Sequence, residues 1–374
     1  MPVIQSLLDT DFYILTMGSQ ILKRYGGIPV TYGLVNRTTS VSLGRKISIV
    51  RVREELDNAR ELRFQPDELD FVANQKNGDK ALFPKEFICF LRDFRLPPYE
   101  LKEKDNGQLD LTFSDMWVKT QFWEVPALRI VQRLYNEALM AEMSVEEKRS
   151  VYRTGEERMR QKIDRLRTRP DVMFVDYGTR RADSPDWHEH TLLTYRNELP
   201  EQILGTSNVL FAMRHGLEPF GTIAHAPFMV MEAMMRSAAK NHARASHMRV
   251  LDDWYDEYGY EYSIPPTDTF TSKWFFDHVF AGYARYFKGT RQDSGDPFTE
   301  GERRIACYEI LGLDPRRYVG LFSDALDVGR MIELADIFGN RMVTRFGWGT
   351  NKTNDLGLPN ISIVIKPLRA LGRA

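Results

Sequence analysis

The chain has 374 residues, 43% hydrophobic and 12% aromatic, enough for a sizeable core; two domains, or a large barrel plus a smaller domain, are expected, and disorder is excluded as the default. Its 51 Lys and Arg balance 52 Asp and Glu to a net charge of -1, so no global field recruits nucleic acid or an anionic membrane, and any anion must be bound locally. The two cysteines, Cys89 and Cys307, lie far apart and outside any metal-ligand spacing, which predicts buried thiols in a reducing compartment, the cytoplasm, rather than a disulfide.

The first residues show no basic segment leading into an apolar stretch, and the longest near-apolar run, around Ala224 to Met235, is too short to span a bilayer, so neither export nor membrane insertion is expected. From Thr10 to about Tyr25, apolar Phe12, Leu15, Met17, Ile21 and Leu22 recur at helical spacing, and Val30 to Val35 reads as a strand. Helical patterns follow at Val50 to Glu61, Pro66 to Asn74 and Pro84 to Phe94. Strand-like runs at Tyr99 to Lys102 and Leu109 to Phe113 flank an Asn106-Gly107 turn, which predicts a hairpin closing a first domain.

Ala127 to about Arg167 reads as two helices, the second highly charged and stopped by Arg169-Pro170. Its basic run, Arg158 to Arg169, has few aromatics and reads as a solvated helix face rather than an RNA-binding one. Beyond it, short apolar runs alternate with helical ones. Strand candidates are Val172 to Val175, Gln202 to Leu204, Pro219 to Thr222, Tyr286 to Lys288, Tyr318 to Phe322, Met342 to Phe346 and Ile361 to Ile365, a rhythm that predicts βα units around a parallel sheet. The acidic, aromatic stretch Asp252 to Tyr262 is assigned to a surface helix or loop, and His188, His190, His242 and His247 have no metal-binding spacing.

The chemistry-bearing residues cluster at the predicted strand ends. Arg291-Gln292-Asp293-Ser294-Gly295-Asp296-Pro297 sets a cation, two carboxylates and a hydroxyl around a glycine turn, suited to sugar hydroxyls, a metal ion or an anionic ring substituent; it also reads as a capped loop before a helix. Phe346-Gly347-Trp348-Gly349-Thr350 reads as a phosphate-cradling loop or as an ordinary glycine-rich turn. Gly205-Thr206-Ser207-Asn208 is a second small-residue loop opening a helix. His225 lies just past Gly221-Thr222, as a nucleophile or base or as a hydrogen-bonded structural histidine.

Seven strings, in this order, resemble the nicotinate phosphoribosyltransferase family: Thr10-Asp11-Phe12-Tyr13, Asp176-Tyr177-Gly178-Thr179-Arg180-Arg181, Gly205-Thr206-Ser207-Asn208-Val209, Gly221-Thr222-Ile223-Ala224-His225, Arg291 to Pro297, Ser323-Asp324 and Phe346 to Thr350. The resemblance spans nearly the whole chain. It implies an irregular α/β barrel of the type II phosphoribosyltransferase kind (residues 126–374) with a smaller N-terminal α/β domain (residues 1–125). The implied reaction is ATP-coupled transfer of 5-phosphoribosyl from its 1-pyrophosphate to nicotinate, giving nicotinate mononucleotide and pyrophosphate in NAD salvage.

By the same resemblance His225 is the phosphorylated histidine and Asp293 a catalytic carboxylate. Tyr177 stacks on the pyridine ring, Tyr13 reaches its other face from a neighbouring subunit of a homodimer, and Arg180 and Arg291 hold the nicotinate end. Asp293 and Asp324 meet the ribose or its metal ion, Gly349 and Thr350 hold the 5-phosphate, and Mg2+ accompanies phosphoribosyl pyrophosphate and ATP, with no tightly bound organic cofactor. Asn208, a donor where the related nicotinamide enzymes have an aspartate, implies choice of a carboxylate-bearing ring. The alternatives are nicotinamide or quinolinate as the ring, or a non-catalytic nucleotide-binding relative. Two departures stand out: Ala226 follows His225 where many members have glutamate, and the segment that returns in relatives to complete the N-terminal domain is expected to be absent.

Overall fold

The computed structural model describes residues 2–236 and 242–373. Its main strands are β1 (Pro29–Asn36), β2 (Tyr99–Glu103), β3 (Leu109–Met116), β4 (Phe174–Asp176), β5 (Ile203–Thr206), β6 (Gly289–Gln292), β7 (Val319–Phe322), β8 (Val343–Trp348) and β9 (Ile363–Ala370). The longer helices are α1 (Phe12–Tyr25), α2 (Ile49–Glu61), α3 (Pro66–Ala73), α4 (Lys85–Arg92), α5 (Glu124–Leu139), α6 (Val145–Arg167), α7 (Pro185–Glu198), α8 (Val209–His215), α9 (Ala226–Met235), α10 (His242–Tyr258), α11 (Pro297–Ile310) and α12 (Val328–Phe338). Local chemistry sets several boundaries. Pro66 occupies the first turn of α3, Ser144 and Glu147 form a reciprocal capping box at α6, and Gly107 turns the β2–β3 hairpin at φ 75°.

An antiparallel sheet carries the N-terminal part, in the order β9-β1-β3-β2. The expected absence of a returning segment is therefore corrected: β9 crosses back and pairs with β1 from Val30–Ala370 to Asn36–Ile363. Alternation explains it, since Ile361, Ile363, Ile365 and Ala370 are buried in the same core as Val30 and Tyr32. That core also takes in α9 and α10, so the packing does not follow the division at residue 125. Within α10, Asp253, Trp254 and Tyr258 are buried, correcting the surface reading of this acidic stretch.

The second sheet is parallel, ordered β5-β4-β8-β7-β6. One expected strand is absent and another is displaced. Residues 219–222 make only an isolated bridge, Thr206 to Pro219, where proline has no N–H for a ladder; the strand expected at 286–288 starts instead at Gly289. Irregular segments join the sheet's edges through a few backbone bonds: Thr206 N to Glu218 O and Phe220 N to Thr206 O at one edge, Ile223 N to Ile264 O between them, and Arg291 N to Pro265 O and Thr267 N to Arg291 O at the other. The result is an interrupted ring rather than a regular barrel. No helix among the described residues is long and apolar enough to cross a membrane. Both cysteines are free, but Cys89 is exposed and Cys307 half-buried, so the expectation of buried thiols fails.

Candidate functional site

In the parallel register, Asp176 lies beside Trp348 and Thr206, and Gln292 beside Phe322, so the five strands end together. The residues that follow them enter one region, the carboxyl-end face where open and closed α/β sheets place their ligands. Buried Asp176 ties three of these loops. Its Oδ2 accepts from Thr206 Oγ1 at 2.7 Å and meets His188 Nε2 at 2.8 Å, while Oδ1 accepts from Lys352 Nζ at 3.1 Å and Gly178 N at 3.0 Å. Burial alone would raise its pKa, but His188 and Lys352 outweigh that and hold the carboxyl far below the usual range.

Above this base opens a cleft of about 1050 Å3, whose walls include Tyr13, Tyr177, Arg180, His225, Arg291, Asp293, Asp324, Gly349 and Thr350. His225 stands at the start of α9, with Nδ1 2.9 Å from Thr269 Oγ1 and Nε2 3.0 Å from Asp293 Oδ2 and 3.7 Å from Asp268 Oδ1. These neighbours hold the imidazole without a glutamate at position 226. Besides Asp293, the orienting groups are Asp268 and Thr269, whose only signal in sequence is a run of three polar residues, Thr267 to Thr269, behind the Pro265-Pro266 pair. Asp293 Oδ1 also pairs with Arg291 Nη1 at 2.7 Å and accepts from Ser323 Oγ at 2.7 Å. Burial opposes its ionisation, yet Arg291 and His225 hold its pKa well below the usual value. Asp324 behaves oppositely: burial, then the charges of Asp293 and Asp268, push its carboxyl up.

At another wall, Tyr13 donates to Glu124 Oε1 at 2.6 Å, and Arg180 reaches Glu124 Oε1 and Asp11 Oδ2, each at 3.0 Å. Tyr13, expected to reach a neighbouring subunit's ring site, lines the cleft of its own chain. The Tyr177 ring lies against Gly347, where a Cβ would sit 2.4 Å from the ring, and Phe220 faces it at 6.5 Å. Only glycine at 347 leaves room for that ring. Arg37 and Lys366, outside every motif, and Arg181, at the end of one, add positive charge; burial, then repulsion from Arg180 and Arg37, lowers Arg181 to about 10.

Two family models match the chain: the nicotinate phosphoribosyltransferase (NAPRTase) family over residues 172–372, and the N-terminal domain of the same family over residues 8–132. The chain belongs to the nicotinate phosphoribosyltransferase family. A nicotinate phosphoribosyltransferase structure from Porphyromonas gingivalis is 27% identical, with a TM-score of 0.86 over all of this chain and 92% of that one. One from Vibrio cholerae is 29% identical, with a TM-score of 0.85 over all of this chain and 87% of that one. In this member of the nicotinate phosphoribosyltransferase family the cleft draws on both matched regions, Asp11, Tyr13 and Glu124 from the first and the remaining named residues mainly from the second.

Asn208 is the exception among the expected site residues of this nicotinate phosphoribosyltransferase relative. It is fully buried off the cleft, its Nδ2 donating to Asp9 Oδ1 at 2.7 Å and its Oδ1 capping α8 at Phe211 N, 2.9 Å. Ser207, one residue earlier, lines the cleft instead and donates to Asp11 Oδ1 at 2.6 Å. The loop's backbone explains the assignment: Phe12 N bonds Ser207 O and Val209 N bonds Thr10 O, stitching the N-terminal segment to residues 207–209 and turning Asn208 inward. Asn208→Asp is therefore expected to set a second buried carboxylate against Asp9 and lower unfolding stability by about 3 kcal/mol, measured by urea denaturation.

Proposed function

We propose that this chain transfers 5-phosphoribosyl from its 1-pyrophosphate to the ring nitrogen of nicotinate, giving nicotinate mononucleotide and pyrophosphate in NAD salvage, with ATP hydrolysis coupled through phosphorylation of His225. The observation that carries the reading is His225 held between Thr269 and the Asp268–Asp293 pair, in the same cleft as Tyr13, Tyr177 and Arg180. Thr269 and the two carboxylates fix the orientation of the imidazole, so the phosphorylated ring has fixed neighbours. ATP's γ-phosphoryl leaves ADP as a P–N bond forms; later attack by water breaks that bond and releases phosphate.

In the transfer step the C1–pyrophosphate bond breaks as the pyridine nitrogen bonds C1. Asp293, kept ionised by Arg291, faces the positive charge that develops on the ribose, a preorganised electrostatic role. Arg291 and the edge of Arg180 not engaged by Asp11 and Glu124 are the cations for the ring carboxylate, with Tyr177 as the stacking face. Ring choice thus rests on these side chains and Ser207 rather than on Asn208. Gly349 and Thr350 open the single helical turn Thr350–Thr353 on the cleft wall and supply a 5-phosphate seat.

Mg2+ would arrive on the pyrophosphate and neutralise it. The donor set fits such an ion: Mg2+ takes one or two protein carboxylates and keeps waters, and Asp324 makes no ion pair among the described residues. No group of three or more His, Cys, Asp or Glu among the described residues forms a ready metal cage. A homodimer in the cytoplasm completes the reading, on the family resemblance and on two free thiols that suit a reducing compartment.

The test is product analysis of purified protein supplied with nicotinate, nicotinamide or quinolinate, phosphoribosyl pyrophosphate and Mg2+, with and without ATP. Nicotinate mononucleotide, increased by ATP, is the expected product. Product from another ring, or from none, overturns the reading.

A further inference from the structure

We propose that Glu124 is a positioning residue for the ring substrate, holding Tyr13 and Arg180 as one unit; the inference rests on the nicotinate reading above. Three separate elements meet at its carboxylate. Tyr13 comes from the first turn of α1, Arg180 from the turn after β4, and Glu124 is the first residue of α5. A single oxygen, Oε1, accepts from Tyr13 Oη at 2.6 Å and from Arg180 Nη1 at 3.0 Å, and the Arg180 guanidinium lies 5.5 Å from the Tyr13 ring centroid. Glu124, Tyr13 and Arg180 thus close a triangle, with Asp11 fixing the far side of the guanidinium.

The side chain of Glu124 is only one-tenth exposed, so its two charge-assisted bonds form away from bulk water, where they are stronger and where an unmet donor is costly. With Asp11 and Glu124 both on Arg180, one edge of the guanidinium remains for a substrate, and its direction is set before the substrate arrives. Removing the acceptor frees the Tyr13 phenol and leaves Arg180 tied to Asp11 alone. The ring substrate must then order both groups as it binds, which weakens its binding. Asp293, His225 and the phosphate-side loops contact none of this triangle in the bonds above, so the bond-making step is untouched.

Steady-state kinetics of Glu124→Ala, Glu124→Gln, Tyr13→Phe and the Tyr13→Phe/Glu124→Ala pair test the idea. Glu124→Ala is expected to raise the nicotinate KM about tenfold, the worth of one or two such bonds, with kcat within about threefold and the phosphoribosyl pyrophosphate KM unchanged. Glu124→Gln should recover most of the loss, because its amide oxygen accepts the same two bonds, and the double variant should be little worse than Glu124→Ala alone. A folded Glu124→Ala protein with normal nicotinate KM, or one in which both KM values and kcat worsen together, overturns the proposal. Should Glu124→Ala not fold, Tyr13→Phe decides, since it severs the Tyr13–Glu124 bond alone: an unchanged nicotinate KM there overturns it equally. Wild-type protein that makes no nicotinate mononucleotide would sink the functional reading itself, whereas an active wild type with indifferent Glu124 variants sinks only this inference.

Discussion

His225→Ala is expected to abolish transfer of label from γ-labelled ATP to the protein, and with it every ATP-dependent increase in product, while a slower ATP-independent synthesis persists. The imidazole is the only cleft side chain placed between a hydroxyl at 2.9 Å and a carboxylate at 3.0 Å with a nitrogen suited to accept a phosphoryl group, among the described residues. Alanine removes that nitrogen but leaves Arg291–Asp293, Arg180 and the 349–353 turn in place, so binding of ring and donor should survive. Acid-labile labelling of the protein and product formation with and without ATP measure the two parts separately. Undiminished labelling in the variant would exclude His225 as the phosphorylated residue.

Asp293→Asn is expected to cut kcat/KM for both substrates by about 10²–10³-fold, the scale for losing one preorganised electrostatic group at a developing charge. The same carboxylate joins Arg291, His225 and Ser323, so an amide disturbs three partners at once. It also leaves the Arg291 guanidinium, one-tenth exposed, without its counter-charge. The contrast with His225→Ala is diagnostic: Asp293→Asn should depress turnover with and without ATP alike. A variant that loses only the ATP effect would move Asp293 out of the transfer step and into the histidine's support.

Much of the architecture was legible because periodicity and punctuation agree in this chain. The helix beginning at Phe12, the proline-started helix at Pro66 and the hairpin around Asn106-Gly107 are each specified by local rules. The parallel sheet was legible as a rhythm, but one of its expected strands was displaced and another was not a strand, because a short apolar run such as 219–222 does not reveal whether a neighbour will offer a ladder. Strand ends carrying Tyr177, Asp293, Asp324 and Gly349 pointed correctly to one cleft, since topology gathers carboxyl ends whatever the loops contain.

What escaped depends on contacts between residues distant in sequence. Glu124 and Asp268 look like ordinary surface acids in one dimension, and only folding brings them to Arg180 and His225. Asn208 misled for a related reason: the loop was legible, but not which of two adjacent polar residues faces outward, and that was decided by Thr10 and Phe12 bonding to it across nearly two hundred residues of chain.

The pairing of β1 with β9 separates in time what it joins in space. A ribosome releases residues 29–36 long before residues 363–370 exist, and at about 5–20 residues per second the interval runs to roughly 15–70 s. Through that interval β1 can pair on its β3 side only, and its other edge stays open to any passing strand. The seven-residue ladder is thus among the last parts of the molecule to form, and a nascent chain of this protein is one that chaperones have reason to guard.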